Sequence, residues 1–209
     1  MNLYLILEIA GANPEAMVEN LLQVIKTITD LPAEEERKLR SILHEQTLQK
    51  GDIFIREGAI PQKFAFVNNG LFRYYYLNSK ASEFTKGFFS ENSFIASYTA
   101  MTRGTRSYYT IEALEDSDIV AVDYHKWKLL YNNHPCWSKL LIALLEKGFA
   151  KKEKRERQLL LDSAEDRYRA FLEEDGYLES RIKQHLVASY LGITPVALSR
   201  IRKLMAMPA

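Results

Sequence analysis

The spacing of apolar residues changes twice along this chain, and the changes divide it. From residue 13 to 45 the spacing is helical: Val18, Leu21, Leu22, Ile25 and Ile28 fall on one face, and Pro14 suits a first turn. Leu31-Pro32 interrupts the pattern. It resumes from Ala33 to His44 with Leu39, Ile42 and Leu43, and Glu34, Glu35 and Glu36 favour the start of that second helix through its dipole. From Thr47 to Asp123 short runs of aromatic and β-branched residues alternate with glycines at 51, 58, 70, 87 and 104. The runs are 53–55, 64–67, 71–77, 83–89, 108–114 and 118–122, and Asn69-Gly70 between two of them predicts a hairpin. Strands this short and closely spaced predict an antiparallel sandwich or jelly-roll barrel, not a parallel sheet with crossover helices.

Helical spacing then returns. Tyr124 to Asn133 reads as a short helix, and Pro135 opens a much longer one. Trp137, Leu140, Leu141, Leu144, Leu145 and Gly148 form a stripe on it, which needs a partner: the barrel or a second copy of itself. Lys151 to Arg157 is charged at every position and reads as a solvated face interrupting that seam, which Leu159, Leu160 and Leu161 resume. Asp162 or Ser163 is placed to cap a further helix carrying Tyr168, Phe171 and Leu172, ended by Asp175-Gly176.

The most informative stretch is Gln184 to Lys203. Val187, Leu191, Ile193, Leu198 and Ile201 are what two short, steeply crossed helices must bury, and Ala188 permits their close approach. Gly192 allows the left-handed turn between them; Thr194 caps the second helix and Pro195 opens it. This is a helix-turn-helix, whose second helix enters the DNA major groove. Facing outward are Thr194, Pro195, Val196, Ser199, Arg200, Arg202 and Lys203. From Ser180 onward there are five basic residues and no acidic one, as a phosphate-facing surface requires.

The 209 residues suffice for one large or two modest domains, and apolar (47%) and charged (26%) contents are those of a soluble protein. Net charge is only +1, so a nucleic-acid surface has to be local, as this one is. One cysteine, Cys136, excludes a disulfide framework and a multi-cysteine metal site. No apolar run approaches ~20 residues, and the apolar segment 1–12, without a preceding basic residue, makes a poor secretory signal and reads as a strand or helix. The expected compartment is the cytoplasm.

Gly51-Asp52 and Glu57-Gly58 in the barrel, Glu112 to Asp116, Ser163 to Tyr168, and Ala188 to Lys203 together resemble the Crp/Fnr family of bacterial transcription regulators. The resemblance covers roughly residue 35 to the end. It implies a cyclic-nucleotide-binding-like β-roll, a dimerising helix and a winged helix-turn-helix, with double-stranded DNA, a second copy and RNA polymerase as partners. A wing hairpin after the recognition helix has no room before Ala209. Family members that bind cyclic AMP use a Gly-Glu pair for the ribose and, about ten residues later, an Arg-Ser or Arg-Thr pair for the phosphate. Here Ala96-Ser97 stands in place of Gly-Glu, so the carboxylate is absent, while Arg106-Ser107 is placed to supply the phosphate side and Tyr108 is bulky. The expected effector, if the barrel takes one, is small and anionic but not cyclic AMP.

The fold class expected is thus α+β: an antiparallel β-roll or jelly-roll barrel with N-terminal helices (1–134), a long dimerisation helix (135–161) and a helix-turn-helix domain (162–209). No cofactor is expected. Two other readings stand beside this one. A cupin-like small-molecule-binding or enzymatic barrel needs His-X-His, yet histidines stand only at 44, 125, 134 and 185. GxxxxGK[ST] and GxSxG are also absent. A protein-interaction module without DNA binding is disfavoured by the basic outer face of the second helix.

Overall fold

The computed structural model describes residues 13–205; the apolar segment 1–12 lies outside them. The chain folds as two compact units. Among the described residues, 13–73 together with Phe88–Ala143 form the first, and Tyr74–Gly87 with 144–205 form the second.

In the first unit, helix α1 (Pro14–Ile28) is capped by Asn13, whose side chain accepts from the Glu15 N–H at 3.1 Å, and buries Met17, Val18, Leu21, Leu22 and Ile25. Helix α2 (Ala33–Arg40) follows. It stops short of the helix expected through His44: Leu43–Leu48 is strand β1. Its two end leucines are buried while His44, Glu45 and Thr47 face solvent, so the stretch carries no run of β-formers to announce it.

The strands β2 (Ile53–Ile55), β3 (Lys63–Asn69), β4 (Phe72–Leu77), β5 (Glu83–Phe89), β6 (Phe94–Ile95), β7 (Thr110–Ala113) and β8 (Ser117–Asp123) complete two four-stranded sheets. Their orders are β1-β8-β3-β6 and β2-β7-β4-β5. β3 runs antiparallel to β8, with Phe66 opposite Val120, and β1 runs antiparallel to the same strand, with Glu45 opposite Val120. Ala65, Phe66, Val67, Leu71, Phe72, Ile95, Ile111 and Ile119 are fully buried and form the roll's core.

Asn69-Gly70 is not the expected hairpin. β3 and β4 lie in different sheets, so this turn carries the chain from one sheet to the other. Gly70 sits at φ +108°, and a Cβ there would lie 2.0 Å from Ser117 Oγ and 2.8 Å from Ser117 Cα. The glycine is therefore required twice, by its dihedral and by the close passage of β8. A further element the sequence does not announce is helix α3 (Tyr98–Arg103), closed by Gly104 at φ +64°.

Helix α4 (Tyr124–Tyr131) is capped by Asp123 and presents Trp127 to the interior. Helix α5 (Pro135–Leu161) is one continuous element whose first turn is buried. Trp137 has no exposed surface; its ring meets Trp127 edge to face at 5.1 Å, and Trp127 meets Phe64 likewise at 5.5 Å. The Trp137 indole N–H donates to the Glu35 carboxylate at 2.7 Å, and Lys38 Nζ donates to the other oxygen at 2.7 Å. Lys38 first, and then Trp137, hold the Glu35 carboxyl below the ordinary carboxylate range against the opposing effect of burial.

The stripe expected on α5 divides. Trp137 and Leu140 are buried by their own chain, whereas Ile142 (55% exposed), Leu145 and Phe149 (66%) form an exposed apolar strip at i, i+3, i+7 spacing. In the second unit Lys151–Arg157 is not simply a solvated face. Lys154 pairs with Glu174 at 2.6 Å, Lys151 with Asp175 at 3.7 Å and Arg157 with Asp162 at 3.8 Å. Glu174 and Asp175 lie on helix α6 (Ala164–Asp175), which Ser163 caps by accepting from the Asp166 N–H, as expected.

Gly70→Ala is expected to lower unfolding free energy by about 2–4 kcal/mol, the strained dihedral and the steric overlap each contributing. Urea titrations of the two proteins, read by tryptophan fluorescence, check it; a change within error would mean that the turn relaxes.

Candidate nucleic-acid interface and effector site

Helix α7 (Gln184–Leu191) and helix α8 (Pro195–Met205) are joined by Gly192 and two further residues. Gly192 is left-handed at φ +69°, and the Ile193 N–H closes back onto the Ala188 carbonyl at 3.0 Å. A Cβ at Gly192 would meet Leu159 at an ordinary 3.4 Å, so glycine is wanted here for its dihedral and not for space. Thr194 Oγ1 accepts from the Ala197 N–H at 3.1 Å, and Pro195 opens α8. Ala188, Val187, Leu191 and Leu198 are buried as expected, joined by Leu186; Ile193 and Ile201 are only half-buried.

On α8 and its cap, Thr194, Pro195, Val196, Ser199, Arg200 and Lys203 are exposed together. Arg202 differs from them. Its guanidinium lies 3.5 Å from Glu179, which also receives a short hydrogen bond from the Tyr168 hydroxyl. Burial, then Glu179, pushes the Tyr168 phenol up to about 12. Arg202 is thus partly committed to its own domain, while Arg200 and Lys203 point outward.

Two arginines that the sequence reading left unassigned hold the C-terminal end of α7. Arg155 of α5 donates to the Tyr190 carbonyl and lies 3.8 Å over the Tyr190 ring centroid. Arg167 of α6 donates through Nε to the Leu191 carbonyl at 2.9 Å and through Nη1 to the Asp162 carbonyl at 2.7 Å. Both satisfy carbonyls that a helix end leaves without partners, and both place positive charge where the α7 dipole is negative. Backbone carbonyls leave no trace in side-chain spacing, which is why neither arginine could be read beforehand.

The four effector candidates of the roll are brought to one place. Ser97 and Ser107 are each 2% exposed, and their hydroxyls lie 2.8 Å apart. Ser107 Oγ also donates to the Tyr109 carbonyl at 2.7 Å, so its one proton is taken and Ser97 must donate in the pair. The Tyr109 hydroxyl donates to the Ala96 carbonyl at 3.0 Å. The 58–59 loop pairs with Ser107 through the Gly58 N–H and the Ala59 carbonyl, both at 2.8 Å. Arg106 is exposed and reaches the Gly58 carbonyl at 3.3 Å; Tyr108 is 76% exposed. Residues 96–97, 107–109 and 58–59 are thereby stapled together, with the two serine hydroxyls bonded to each other.

The histidines do not gather. His44 lies on β1, His185 is exposed on α7, His125 bonds Gln62 at 2.7 Å, and His134 accepts from the Cys136 N–H at 3.2 Å. Among the described residues no group of three or more His, Cys, Asp or Glu side chains is placed to hold a metal. Nor, among them, is any helix long and apolar enough to cross a membrane.

Ser97→Ala is expected to cost about 1 kcal/mol of stability, the net worth of one buried hydrogen bond, because Ser107 keeps its bond to Tyr109. Denaturant titration measures it; a loss of several kcal/mol would mean that the serine pair holds more of the roll than these bonds account for.

Residues 45–134 match the cyclic nucleotide-binding domain family. Among curated proteins no sequence matches the chain. Several solved structures are similar in fold. FixK2 from Bradyrhizobium japonicum is 19% identical, with a TM-score of 0.69 over 78% of this chain and 84% of that one. The c-di-GMP-responsive global regulator CLP from Xanthomonas campestris is 15% identical, with a TM-score of 0.68 over 84% and 92%. A transcriptional regulator of the Crp/Fnr family from Eubacterium rectale is 21% identical, with a TM-score of 0.67 over 84% of both chains. Residues 45–134 are thus similar to the cyclic nucleotide-binding domain family, in a chain whose fold is that of solved Crp/Fnr-type regulators.

Proposed function

We propose that the protein is a cytoplasmic, homodimeric transcription regulator that reads a palindromic operator and works by binding, not catalysis. The observation that carries this reading is the outer face of α8, where Thr194, Pro195, Val196, Ser199, Arg200 and Lys203 are exposed on a capped helix joined to α7 by a left-handed glycine. Cationic and short polar side chains on such a helix suit phosphates and base edges in a major groove. The dimer is supported by the exposed strip Ile142, Leu145 and Phe149 on α5, which a second copy of the same helix would cover. Bound to DNA, the dimer engages RNA polymerase, as the shared fold suggests.

Within the interface the residues divide by chemistry. Arg200 reads a base edge, with guanine O6 and N7 the best bidentate target, and Val196 offers apolar contact to a thymine methyl. Thr194 and Ser199 are short donors near the groove wall, and Pro195 shapes the entry to α8. Lys203 contacts phosphate. Arg202 contributes less to phosphate binding than its charge suggests, because Glu179 already engages it.

The roll holds a small anionic effector other than cyclic AMP, or serves as a scaffold. Ser97 puts a hydroxyl where the ribose-binding carboxylate is expected, and that hydroxyl is bonded to Ser107. Ala96, Ser97, Arg106 and Ser107 would be the effector's contacts.

Binding-site selection at two salt concentrations tests the DNA reading. A symmetric dimer spaces its recognition helices ~34 Å apart, so the selected site should be a palindrome. Arg200→Ala should cost ~1–3 kcal/mol and relax preference at one symmetric base pair, whereas Lys203→Ala should weaken all sequences about equally and flatten the salt dependence. Selection of no palindrome by the wild type would overturn the reading. Cyclic AMP should leave both the melting temperature and operator affinity unchanged; calorimetric saturation at micromolar nucleotide would reverse that assignment.

A further inference from the structure

The tip of the β4–β5 hairpin, Tyr74–Gly87, belongs to the same compact unit as α6, α7 and α8. β5 is the outer strand in the order β2-β7-β4-β5, so among the described residues one side of its backbone has no strand beside it. On α7, the Ser189 hydroxyl accepts from the Thr85 N–H of that strand at 2.9 Å and lies 3.4 Å from the Glu83 carbonyl. One side chain of the helix-turn-helix thus engages both a donor and an acceptor of the strand backbone. Thr85 is buried at this contact. Next to Thr85, Lys86 is depressed by burial and then by Lys152 and Arg155. The contact also leaves Val196, Ser199, Arg200 and Lys203 exposed, so it orients the helix-turn-helix without masking its outer face.

We infer that Ser189 is a positioning residue for operator binding: its hydroxyl ties α7 to the backbone of the β4–β5 hairpin and so fixes the direction in which α8 is presented. This rests on the DNA-binding reading above. A half-site asks only that one α8 be intact. A palindrome asks that two be presented at once in a set geometry, and rotational freedom in either one lowers affinity. A residue that acts by orientation should therefore affect the palindrome and spare the half-site, whereas one that merely stabilises α7 should affect both.

The experiment compares the full-length wild type with Ser189→Ala and Thr85→Pro on the selected palindrome and on a duplex carrying one arm of it. Proline at position 85 removes the N–H that Ser189 accepts, and an edge strand is where a sheet best tolerates proline. Ser189→Ala should weaken palindrome binding about three- to tenfold, the loss of one modest hydrogen bond per protomer, with half-site affinity unchanged. Thr85→Pro should do the same, and the double variant should fall no further than either single one. Unchanged palindrome binding in Ser189→Ala would overturn the inference, as would equal losses on both duplexes or tighter binding. Failure of the wild type to bind either duplex would instead remove the DNA-binding reading on which it stands.

Discussion

The first turn of α5 is where the molecule commits its longest element, and the Trp137 indole is what fixes it. Its ring is fully buried against Trp127, and its N–H donates to Glu35, itself held by Lys38. An indole in this position must satisfy its N–H or leave a buried donor unpaired, at a cost of several kcal/mol by transfer measures. Glu35 must equally be paired, since an isolated carboxylate among apolar rings would be still more costly. Each group therefore accounts for the other's presence. Helix α2, helix α4 and the start of α5 meet at this point, and α5 continues from it to Leu161 without a break. Among the described residues the apolar strip farther along α5 has no such cover.

Much of this architecture could be read from the sequence because its causes are local. The runs at 53–55, 64–67, 71–77 and 83–89 are strands in the structure, and Ser163, Thr194 and Gly192 cap and turn as their chemistry requires. What could not be read depends on neighbours distant in sequence. β1 is an edge strand with polar residues between two buried leucines, and after α2 its Leu43 extends a helical period by coincidence. Asn69-Gly70 carries the composition of a hairpin, but the close passage of Ser117 turns it into a crossing between sheets. Strand β6 is two residues long, too short to set a period.

The candidate sites divide in the same way. The exposed face of α8 was legible because an amphipathic helix shows its outer residues by exclusion from the buried set. The serine pair at 97 and 107 was legible only as two positions of a cassette. That the hydroxyls bond each other depends on how the segment between them folds, including α3, which no spacing announced. Arg155 looked like one charge in a solvated run. Its role follows from the carbonyl of Tyr190, a group every residue carries and no sequence pattern reveals.

A chain with net charge +1 can still present a cationic surface, and the second unit shows how. Three basic residues of the run on α5 are matched by acidic residues of α6 and the turn before it: Lys151 by Asp175, Lys154 by Glu174 and Arg157 by Asp162. Exposed pairs of this kind contribute little to stability, with a median of about 0–1 kcal/mol each. Their larger effect is on the field. They partly offset the charge of α5 close to its source, and at physiological salt the remainder is screened over about 8 Å. On α8 the matching is partial: Glu179 engages Arg202, while no ion pair is recorded for Arg200 or Lys203 among the described residues. Arg200 and Lys203 thus carry unpaired positive charge on the outer face of α8. Positive charge gathered on one helix face draws a polyanion to that face more than to parts of the surface whose cations are paired.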